Sequence, residues 1–344
     1  MSQHSREGGD LSEILTHPEA EIHLIDLSGD KRKIEVRPFS ADLYIHRNNW
    51  ETAYPTSLIR LILEAKGPSY LCDEIAREED PLYVPLNLEL SLFSYIEEGF
   101  FGTGTRLLDF GCGTGASGVF LGRSFPEAEI VGVELIAESL EIAEARREFY
   151  GLDNLRFEVS PSGESLPENL GLFDGILMSA VFEHLLPQER KILMPVLWDA
   201  LKPGGILFIN ETPNRFFPIE LHTSGLPMLN YLPKSVAMAY ARRFSSRVDV
   251  DASWDLMLRE GIRGGSVGEI LACLPDVPGV EPKLIPVHRH GRKDDIDLWH
   301  DASVRKTGDS RKKRTFKLFA KTARKLSGFT FAPEIVMAVR KSQI

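Results

Sequence analysis

The sequence predicts an α/β protein built around a doubly wound, mostly parallel β-sheet. From about residue 86 onward, apolar segments of strand length alternate with longer segments in which apolar residues recur at helical spacing. The strand-like segments are RLLDFG, IVGVEL, RFEV, FDGILMS and GILFIN, and the helical ones include AESLEIAEARREFYG and QERKILMPVLWDALKPGG. Strands and helices that alternate in this way form βαβ units, whose strands lie parallel in one sheet.

Length and composition are those of an ordinary globular protein. The chain has 344 residues, 43% hydrophobic and 26% charged, enough to bury a full core in one large domain with additions or in two smaller domains. Its three scattered cysteines form neither a zinc-binding pair nor a disulfide framework, so a reducing compartment is expected. Because we find no signal-peptide core and no apolar stretch of membrane-spanning length, we predict a cytoplasmic protein.

Two regions lie outside the alternating pattern. Residues 1–85 are predicted to form an N-terminal extension with a hairpin, EIHLIDL and KIEVRPF around a Ser-Gly-Asp turn, and a helix, SLIRLILEAKG, that Gly67 and Pro68 should end. Residues 211–282 separate GILFIN from the next strand-like segment, KLIPV, by far more chain than a crossover needs. We therefore predict a domain over 86–344 into which 211–282 is inserted as a lid or substrate region.

The segment GCGTG directly follows the strand-like RLLDF and carries glycines at alternate positions. Gly111, Gly113 and Gly115 can adopt backbone angles closed to other residues, which lets the chain approach a ligand closely at the carboxyl end of a strand. The loop is therefore predicted to cradle a nucleotide-sized ligand. With Ala116 it also satisfies the dinucleotide fingerprint GxGxxG/A, so the glycines by themselves do not separate NAD from other adenosine-containing ligands.

Two acidic residues distinguish between these ligands. Asp109 precedes the glycine loop, where a carboxylate would repel a pyrophosphate and attract a ligand that carries an ammonium group. Glu134 ends the second strand-like segment, at the usual position of a carboxylate that accepts hydrogen bonds from both ribose hydroxyls. Together they predict an adenosine ligand with a free ribose and a cationic end.

Five segments between 107 and 214 resemble, in order and spacing, the motifs of class I S-adenosylmethionine-dependent methyltransferases. They are LLDFGCGTGASGVFL, IVGVEL, GESLP, FDGILMSAVFEHLLP and LKPGGILFINETPN. The resemblance implies a Rossmann-like sheet of seven strands, with EIVMAVRK as an antiparallel last strand, and S-adenosylmethionine as the cofactor over the glycine loop. It places the cofactor against Asp109, Gly111, Cys112, Gly113, Gly115, Glu134, Leu135, Gly163, Glu164 and Ser179.

The resemblance implies a methyltransferase, and oxygen is the preferred methylated atom, on a small-molecule, glycan or lipid-linked acceptor. An NAD-dependent oxidoreductase is the alternative enzyme, against which Asp109 and the LKPGG segment argue. A non-catalytic scaffold that binds the cofactor is the third interpretation. DNA is not expected as an acceptor, because SAVF stands where methyltransferases of DNA amino groups resemble one another in [DNS]PP[YFW], and the sequence has no Pro-Cys nucleophile.

Methylation of an oxygen requires a base that removes the acceptor's proton. His184, next to Glu183 in the segment FEHLLP, is the first candidate because histidine titrates near neutrality, and His222 is an alternative. The Glu-His pair resembles that of the ubiquinone-biosynthesis O-methyltransferases, in which a further glutamate three residues earlier contributes to a divalent metal site. Because that position is Ala180 here, no metal site is predicted.

Positive charge is concentrated near the C-terminus. The net charge is −10, yet ten basic residues and one acidic residue lie between 305 and 325, which gives this segment a charge of +9. Over 311–327 several apolar residues fall on one helical stripe and basic residues occupy much of the rest, so a basic amphipathic helix is predicted. Three interpretations stay open: packing of the apolar stripe on the sheet, docking on an anionic membrane or substrate, and RNA binding.

Overall fold

The computed structural model describes residues 10–276, 278–287, 291–328 and 330–343, so residues 1–9 of the predicted extension lie outside the described residues. The strands are β1 (Asp10–His17), β2 (Ala20–Asp26), β3 (Arg32–Pro38), β4 (Asn49–Thr52), β5 (Arg106–Phe110), β6 (Glu129–Glu134), β7 (Leu155–Val159), β8 (Phe173–Ser179), β9 (Leu201–Pro213), β10 (Val280–Ile285) and β11 (Glu334–Gln343). The helices are α1 (Thr56–Glu79), α2 (Val84–Leu92), α3 (Ala116–Ser124), α4 (Ala137–Tyr150), α5 (Pro187–Asp199), α6 (Lys234–Phe244), α7 (Trp254–Arg259), α8 (Val267–Ala272), α9 (Asp295–Thr307) and α10 (Arg311–Ser327). Short 3₁₀ turns occupy Phe182–His184 and Leu229–Tyr231.

The centre of the fold is a sheet that, within the described residues, has seven strands in the order β10-β11-β9-β8-β5-β6-β7. Strands β5 to β9 pair in parallel, whereas β11 pairs antiparallel with both β9 and β10. The predicted Rossmann-like α/β fold with an antiparallel last strand is therefore confirmed. The carboxyl ends of the parallel strands lie at one edge of the sheet, where ligands bind in folds of this kind.

Strand β9 illustrates why the sheet is buried on both faces. Ile206, Leu207, Phe208 and Ile209 are all fully buried, as a continuous apolar run in a doubly covered sheet should be. Leu207 and Ile209 belong to the core cluster that contains Trp198 of α5. Ile206 and Phe208 belong to a second cluster, to which α2 and α3 contribute. The sequence thus forms a three-layer structure with helices on either side of the sheet.

The N-terminal region forms a second sheet, in which β1, β2, β3 and β4 pair antiparallel in chain order. The predicted hairpin is confirmed: β2 and β3 pair from Ala20 opposite Pro38 to Asp26 opposite Arg32. The flanking strands β1 and β4 were not predicted. Most of β1 is exposed, so its sequence lacks the clear apolar alternation that identifies a half-buried strand.

Gly67 interrupts helix α1, as the sequence predicts. Gly67 adopts φ 68° and ψ 173°, which bends the chain, and the helix then continues to Glu79. Pro68 fits directly after the bend because the first residue of a helical segment needs no N–H donor. The Gly67-Pro68 pair therefore ends the first helical segment, and a second segment that was not predicted follows the kink.

A buried ion pair attaches the second half of α1 to the sheet domain. The fully buried Arg146 of α4 donates to the Glu74 carboxylate at 3.2 Å and to the Glu74 carbonyl oxygen at 2.7 Å. Arg146 also donates to the carbonyl oxygen of Thr114, in the glycine loop, at 2.9 Å. The N-terminal region, the glycine loop and α4 thus share one hydrogen-bonded network.

Residues 211–282 contain α6, α7 and α8 and have a small apolar cluster of their own, which includes the fully buried Leu229 and Met257. A parallel bridge joins Asn214, near the start of this region, to Gly265, just before α8. Its role as a lid stays a prediction.

Along the part of the chain that the structure describes, no helix combines the length and the hydropathy needed to cross a bilayer.

Candidate functional site

The glycine loop joins the end of β5 to the start of α3. Gly111, Gly113 and Gly115 have positive φ values of 75°, 54° and 84°, which residues with a side chain rarely adopt. A Cβ atom on Gly111 would lie 2.5 Å from Val181 Cγ2, and one on Gly115 would lie 2.7 Å from Ala143 Cβ. A Cβ atom on Gly113 would meet none of the described atoms within 4 Å, so Gly113 is the glycine that borders open space.

Glu134, at the end of β6, supports the loop from the side. Its Oε2 accepts a hydrogen bond of 2.9 Å from the Gly113 N–H. Its Oε1 accepts hydrogen bonds from the backbone N–H groups of Leu135 at 2.7 Å and Ile136 at 3.1 Å. The carboxylate therefore lies beside the open face of the loop, where the predicted contact with a ribose would occur. That contact stays a prediction.

Asp109 lies beneath the loop, not on its surface. It is 1% exposed, and its Oδ2 accepts a hydrogen bond of 2.5 Å from Ser117 Oγ. Burial raises the pKa of Asp109 to about 7, an effect that the Ser117 hydroxyl opposes and the Glu134 charge reinforces. Any attraction between Asp109 and an ammonium group must therefore act from below the loop.

The loop forms one wall of a cavity of about 320 Å³. The lining residues beyond the loop include Ser179, Ala180 and Glu211 from the edge of the sheet and Lys66, Glu74 and Arg77 from α1. Sequence analysis assigned no site residue to the N-terminal extension. The structure adds this helix to the candidate site, because the helix that the buried ion pair holds against the sheet domain also lines the cavity.

The remaining residues of the predicted cofactor set lie at different distances from this cavity. Cys112 lines it but is 5% exposed, and burial raises the pKa of its thiol, so it contributes shape and no nucleophile. Leu135 follows β6 and is largely exposed. Gly163 and Glu164 lie in the loop after β7. Leu135, Gly163 and Glu164 are not among the described residues that line the cavity, and their contact with a cofactor stays a prediction.

Glu211 occupies a bulge in β9. The register between β9 and β11 shifts here, so that Asn210 and Glu211 face the single residue Val336. Glu211 has a φ of 58°, a strained value for a residue with a side chain. Its carboxylate accepts hydrogen bonds from Ser179 Oγ at 2.8 Å and from the Asn87 amide. Bulges of this kind re-aim side chains beside active sites, and this one places a carboxylate at the end of the cavity.

Glu183, His184 and His222 come together next to the region 211–282, with one ligand atom of each within 4.8 Å of the others. The rings of His184 and His222 lie 5.4 Å apart. Burial raises the pKa of Glu183 to about 8, whereas partial burial and the neighbouring His184 lower the pKa of His222. These three side chains are not among the described residues that line the cavity beside the glycine loop. Their predicted part in catalysis stays a prediction.

Comparisons with known proteins agree with the geometry of the loop. The family model described as a methyltransferase domain matches residues 108–207. The chain is 34% identical over 109 residues to the mitochondrial ubiquinone biosynthesis O-methyltransferase of Rattus norvegicus. The aligned segment covers 31% of this chain and 30% of that protein. It is also 34% identical over 109 residues to the trans-aconitate 2-methyltransferase of Deinococcus radiodurans, and that alignment covers 32% of this chain and 38% of that protein. The chain thus spans about a third of the length of these curated relatives.

The matched segment contains the glycine loop, Glu134 and the strands that carry them. The chain carries a class I S-adenosylmethionine-dependent methyltransferase domain. The predicted family and its cofactor, S-adenosylmethionine, are confirmed. A crystal structure of an S-adenosylmethionine-dependent methyltransferase from Clostridium acetobutylicum aligns over 44% of this chain and 60% of that chain, with 18% identity and a TM-score of 0.34.

Two groups of residues that line the cavity beside the glycine loop were not singled out by sequence analysis. Glu211 directly follows the strand-like segment GILFIN, and its position near the carboxyl edge of the sheet is the signal that would have found it. Glu74 and Arg77 gave no comparable signal, because their place on the cavity depends on how α1 docks.

The raised pKa of Asp109 generates a pH dependence of cofactor binding. Below about pH 7 the carboxylate takes up a proton and no longer attracts the cofactor's ammonium group, so affinity should fall as the pH drops. If binding requires the charged form, the Kd for S-adenosylmethionine should be about tenfold higher at pH 6 than at pH 8. Calorimetric titrations at both pH values check this, with Asp109→Asn expected to flatten the dependence. An unchanged Kd in the unsubstituted protein would contradict it.

Proposed function

We propose that this chain transfers a methyl group from S-adenosylmethionine to a hydroxyl oxygen of a small-molecule or glycan acceptor. The observation that carries the proposal is the position of Glu211, whose carboxylate lines both the cofactor cavity and a second cavity of about 280 Å³. A group shared by two adjoining cavities can contact a molecule in either of them. The second cavity is therefore the place for the acceptor.

The second cavity presents many hydrogen-bond acceptors. Its lining includes the carboxylates of Glu211, Asp295 and Glu334 and the side chain of Asn210. Asn210 is 1% exposed, and its Oδ1 has no hydrogen-bond partner among the described residues. A buried amide oxygen is normally hydrogen-bonded, so a ligand that donates hydrogen bonds suits this wall. A molecule with several hydroxyl groups supplies such donors, and Trp299 adds an apolar surface for its carbon skeleton.

The chain's own residues then position the acceptor and receive its proton. S-adenosylmethionine supplies a methyl group whose carbon–sulfur bond breaks as the acceptor oxygen bonds to the carbon, which leaves S-adenosylhomocysteine. Glu211 is placed to accept the hydroxyl proton, and the Ser179 hydroxyl, which donates to Glu211 at 2.8 Å, holds that carboxylate in position. Helix α1 reduces the access of water to the cavity through Lys66 and Arg77.

The two relatives support methyl transfer in general and oxygen as one acceptor atom. One is named as an O-methyltransferase of ubiquinone biosynthesis and the other as a trans-aconitate 2-methyltransferase. Because each match covers well under half of the relative's length, the acceptor of the present chain does not follow from either name. The acceptor-rich wall beside Glu211 is what favours a hydroxylated molecule.

A labelled-methyl screen tests this function. S-adenosylmethionine with an isotopically labelled methyl group is incubated with the protein and a panel of glycans, lipid-linked sugars and smaller polyols. We expect label in methyl ethers, which survive mild alkaline treatment, whereas methyl esters of carboxylic acids do not. Label in esters or amines alone would contradict the proposed hydroxyl acceptor.

Glu211→Gln should lower kcat on the acceptor found in that screen by about 10²- to 10⁴-fold, because the amide cannot take up the proton. The Kd for S-adenosylmethionine should change little, since glutamine keeps the size and an oxygen that accepts from Ser179. Glu168→Gln, at an exposed loop position, is the matched control and should leave kcat unchanged. Steady-state kinetics check both variants, and an unaltered kcat in Glu211→Gln would show that another group receives the proton.

Helix α10 divides its apolar residues between two faces. Phe316 packs on Trp299 at 4.8 Å between ring centroids, so the inward face contacts a residue of the acceptor cavity. Leu318, Phe319 and Leu326 face outward and are 69%, 61% and 83% exposed. The exposed basic residues on this helix are Arg311, Lys312, Arg314 and Lys325.

We further propose that this outer face of α10 docks on an anionic membrane surface. Exposed apolar side chains beside exposed basic ones, of which Arg314 alone has an ion-pair partner among the described residues, Asp309 at 3.4 Å, match a bilayer with negatively charged head groups. Lys317 and Lys321 are not part of this face, because Asp297 pairs with them at 2.8 Å and 2.7 Å. Docking here would bring the acceptor cavity close to the membrane, as a lipid-linked acceptor requires.

Vesicle co-sedimentation checks the docking surface. The protein should sediment with phosphatidylglycerol vesicles and not with phosphatidylcholine vesicles, and binding should weaken as salt rises. The double variant Leu318→Ala/Phe319→Ala should weaken the partition about tenfold, through lost apolar contact. Leu172→Ala, an exposed leucine elsewhere, is the control. Equal partition of both variants, or no sedimentation of the unsubstituted protein, would overturn the proposal.

A further inference from the structure

The cluster of Glu183, His184 and His222 combines two segments that are far apart in the sequence. Glu183 and His184 lie in the 3₁₀ turn after β8, whereas His222 lies in the inserted region 211–282. One ligand atom from each side chain lies within 4.8 Å of the other two. A carboxylate and two imidazoles at this spacing are a donor set that divalent transition metals bind in proteins.

Glu183 has a carboxylate oxygen that nothing in the described part of the chain satisfies. The side chain is fully buried, and its Oε2 accepts a hydrogen bond of 3.1 Å from Thr212 Oγ1. Its Oε1 has no hydrogen-bond partner among the described residues and lies 3.8 Å from His184 Nε2. A buried carboxylate oxygen without a donor is costly, so its position next to two imidazoles indicates a cation as the partner.

His184 is oriented as a metal ligand is. Its Nδ1 lies 2.6 Å from the carbonyl oxygen of Arg259, and because a carbonyl can only accept, Nδ1 must carry the hydrogen. In the neutral ring the lone pair is then on Nε2, which is the nitrogen nearest to Glu183. A histidine that donates from one nitrogen to a backbone carbonyl and presents the other to a metal is the usual arrangement in metal sites.

His222 is held in place by its own loop and by a glycine. Its backbone N–H donates to Glu220 Oε1 at 2.9 Å, and the buried Glu220 also accepts from the N–H of Thr223 at 3.0 Å and from the Ser224 hydroxyl at 2.6 Å. A Cβ atom on Gly261 would lie 2.5 Å from His222 Cδ2. The absence of a side chain at this position therefore allows the ring to lie against the Glu183 and His184 side chains.

We propose that Glu183, His184 and His222 form a binding site for a divalent transition-metal ion of the zinc type. Three protein ligands of this kind leave a coordination position open to water or to an oxygen of a bound molecule. Ligand atoms around zinc lie about 3.4 Å apart, so separations of up to 4.8 Å in the cluster must shorten by up to about 1.4 Å when the ion binds. His222 supplies the third donor that Ala180 cannot, and because it lies 38 residues after His184 in the sequence, its place beside the Glu-His pair was not predicted.

The ion would link the inserted region to the edge of the sheet. The metal site itself rests on the cluster and not on the proposed function. The proposed metal site and the proposed function can therefore be refuted independently of each other.

Metal titration of the tag-free full chain tests the site. Metals are first removed by dialysis against a chelator. Calorimetry should then show that one Zn²⁺ ion binds per chain. Co²⁺ bound in its place should give the visible absorption spectrum of a site with a low coordination number and mixed nitrogen and oxygen ligands. Glu183→Gln and His222→Ala should each weaken Zn²⁺ binding at least tenfold and remove the Co²⁺ spectrum. His46→Ala, an exposed histidine elsewhere, is the matched control and should bind as the unsubstituted protein does.

The affinity for S-adenosylmethionine, measured on the same samples, shows whether a variant that no longer binds metal is still folded. It should be unchanged in both ligand variants, which would show that they fold and that the cofactor cavity is intact. Absence of Zn²⁺ binding, or equal binding by Glu183→Gln, His222→Ala and the control, would overturn the site. Zinc binding without methyl transfer to any hydroxylated acceptor would leave the site standing and contradict the proposed function.

Discussion

The shape of the cofactor site depends on the buried contact between Arg146 and Glu74. Arg146 reaches from α4 to the carbonyl oxygen of Thr114 in the glycine loop and to both the carboxylate and the carbonyl of Glu74 in α1. Removal of one partner of a buried ion pair leaves the other charged and unpaired, at a cost on the order of 3–5 kcal/mol. One guanidinium group thus fixes the loop that approaches the cofactor and the N-terminal helix that closes the cavity over it.

The positions of the residues predicted to bind the cofactor could be derived from the sequence because this half of the candidate site is built locally. The glycine loop, Asp109 and Glu134 each lie within a few residues of a strand end, and their spacing along the chain sets their spacing in the sheet. Parallel strands place such ends side by side, so strand order and residue type were sufficient. The sequence did not reveal that Asp109 is buried beneath the loop, since this depends on how Ser117 of α3 covers it.

The proposed acceptor half depends on contacts between distant segments, and for this reason the sequence left it open. Glu211 acquires its position from a bulge that pairing with β11 imposes, and β11 lies more than a hundred residues later in the chain. His222 joins Glu183 and His184 through the fold of the inserted region. The kink at Gly67 is of the same kind: the sequence marked the break, but only the docking of α1 determines that the helix continues beyond it. In the proposed site a glycine-loop cradle for the cofactor is thus combined with an acceptor side assembled from the N-terminal extension, the insertion and the last strand.

The measurement that tests the central claim most directly is calorimetric titration of the purified protein with S-adenosylmethionine, S-adenosylhomocysteine and NAD in parallel, repeated on Glu134→Ala. The account predicts micromolar binding of the first two ligands, no binding of NAD, and a clear loss of affinity in the variant, because Glu134 lies beside Gly113 at the predicted ribose position. Binding of NAD alone, or equal affinity in Glu134→Ala, would contradict it.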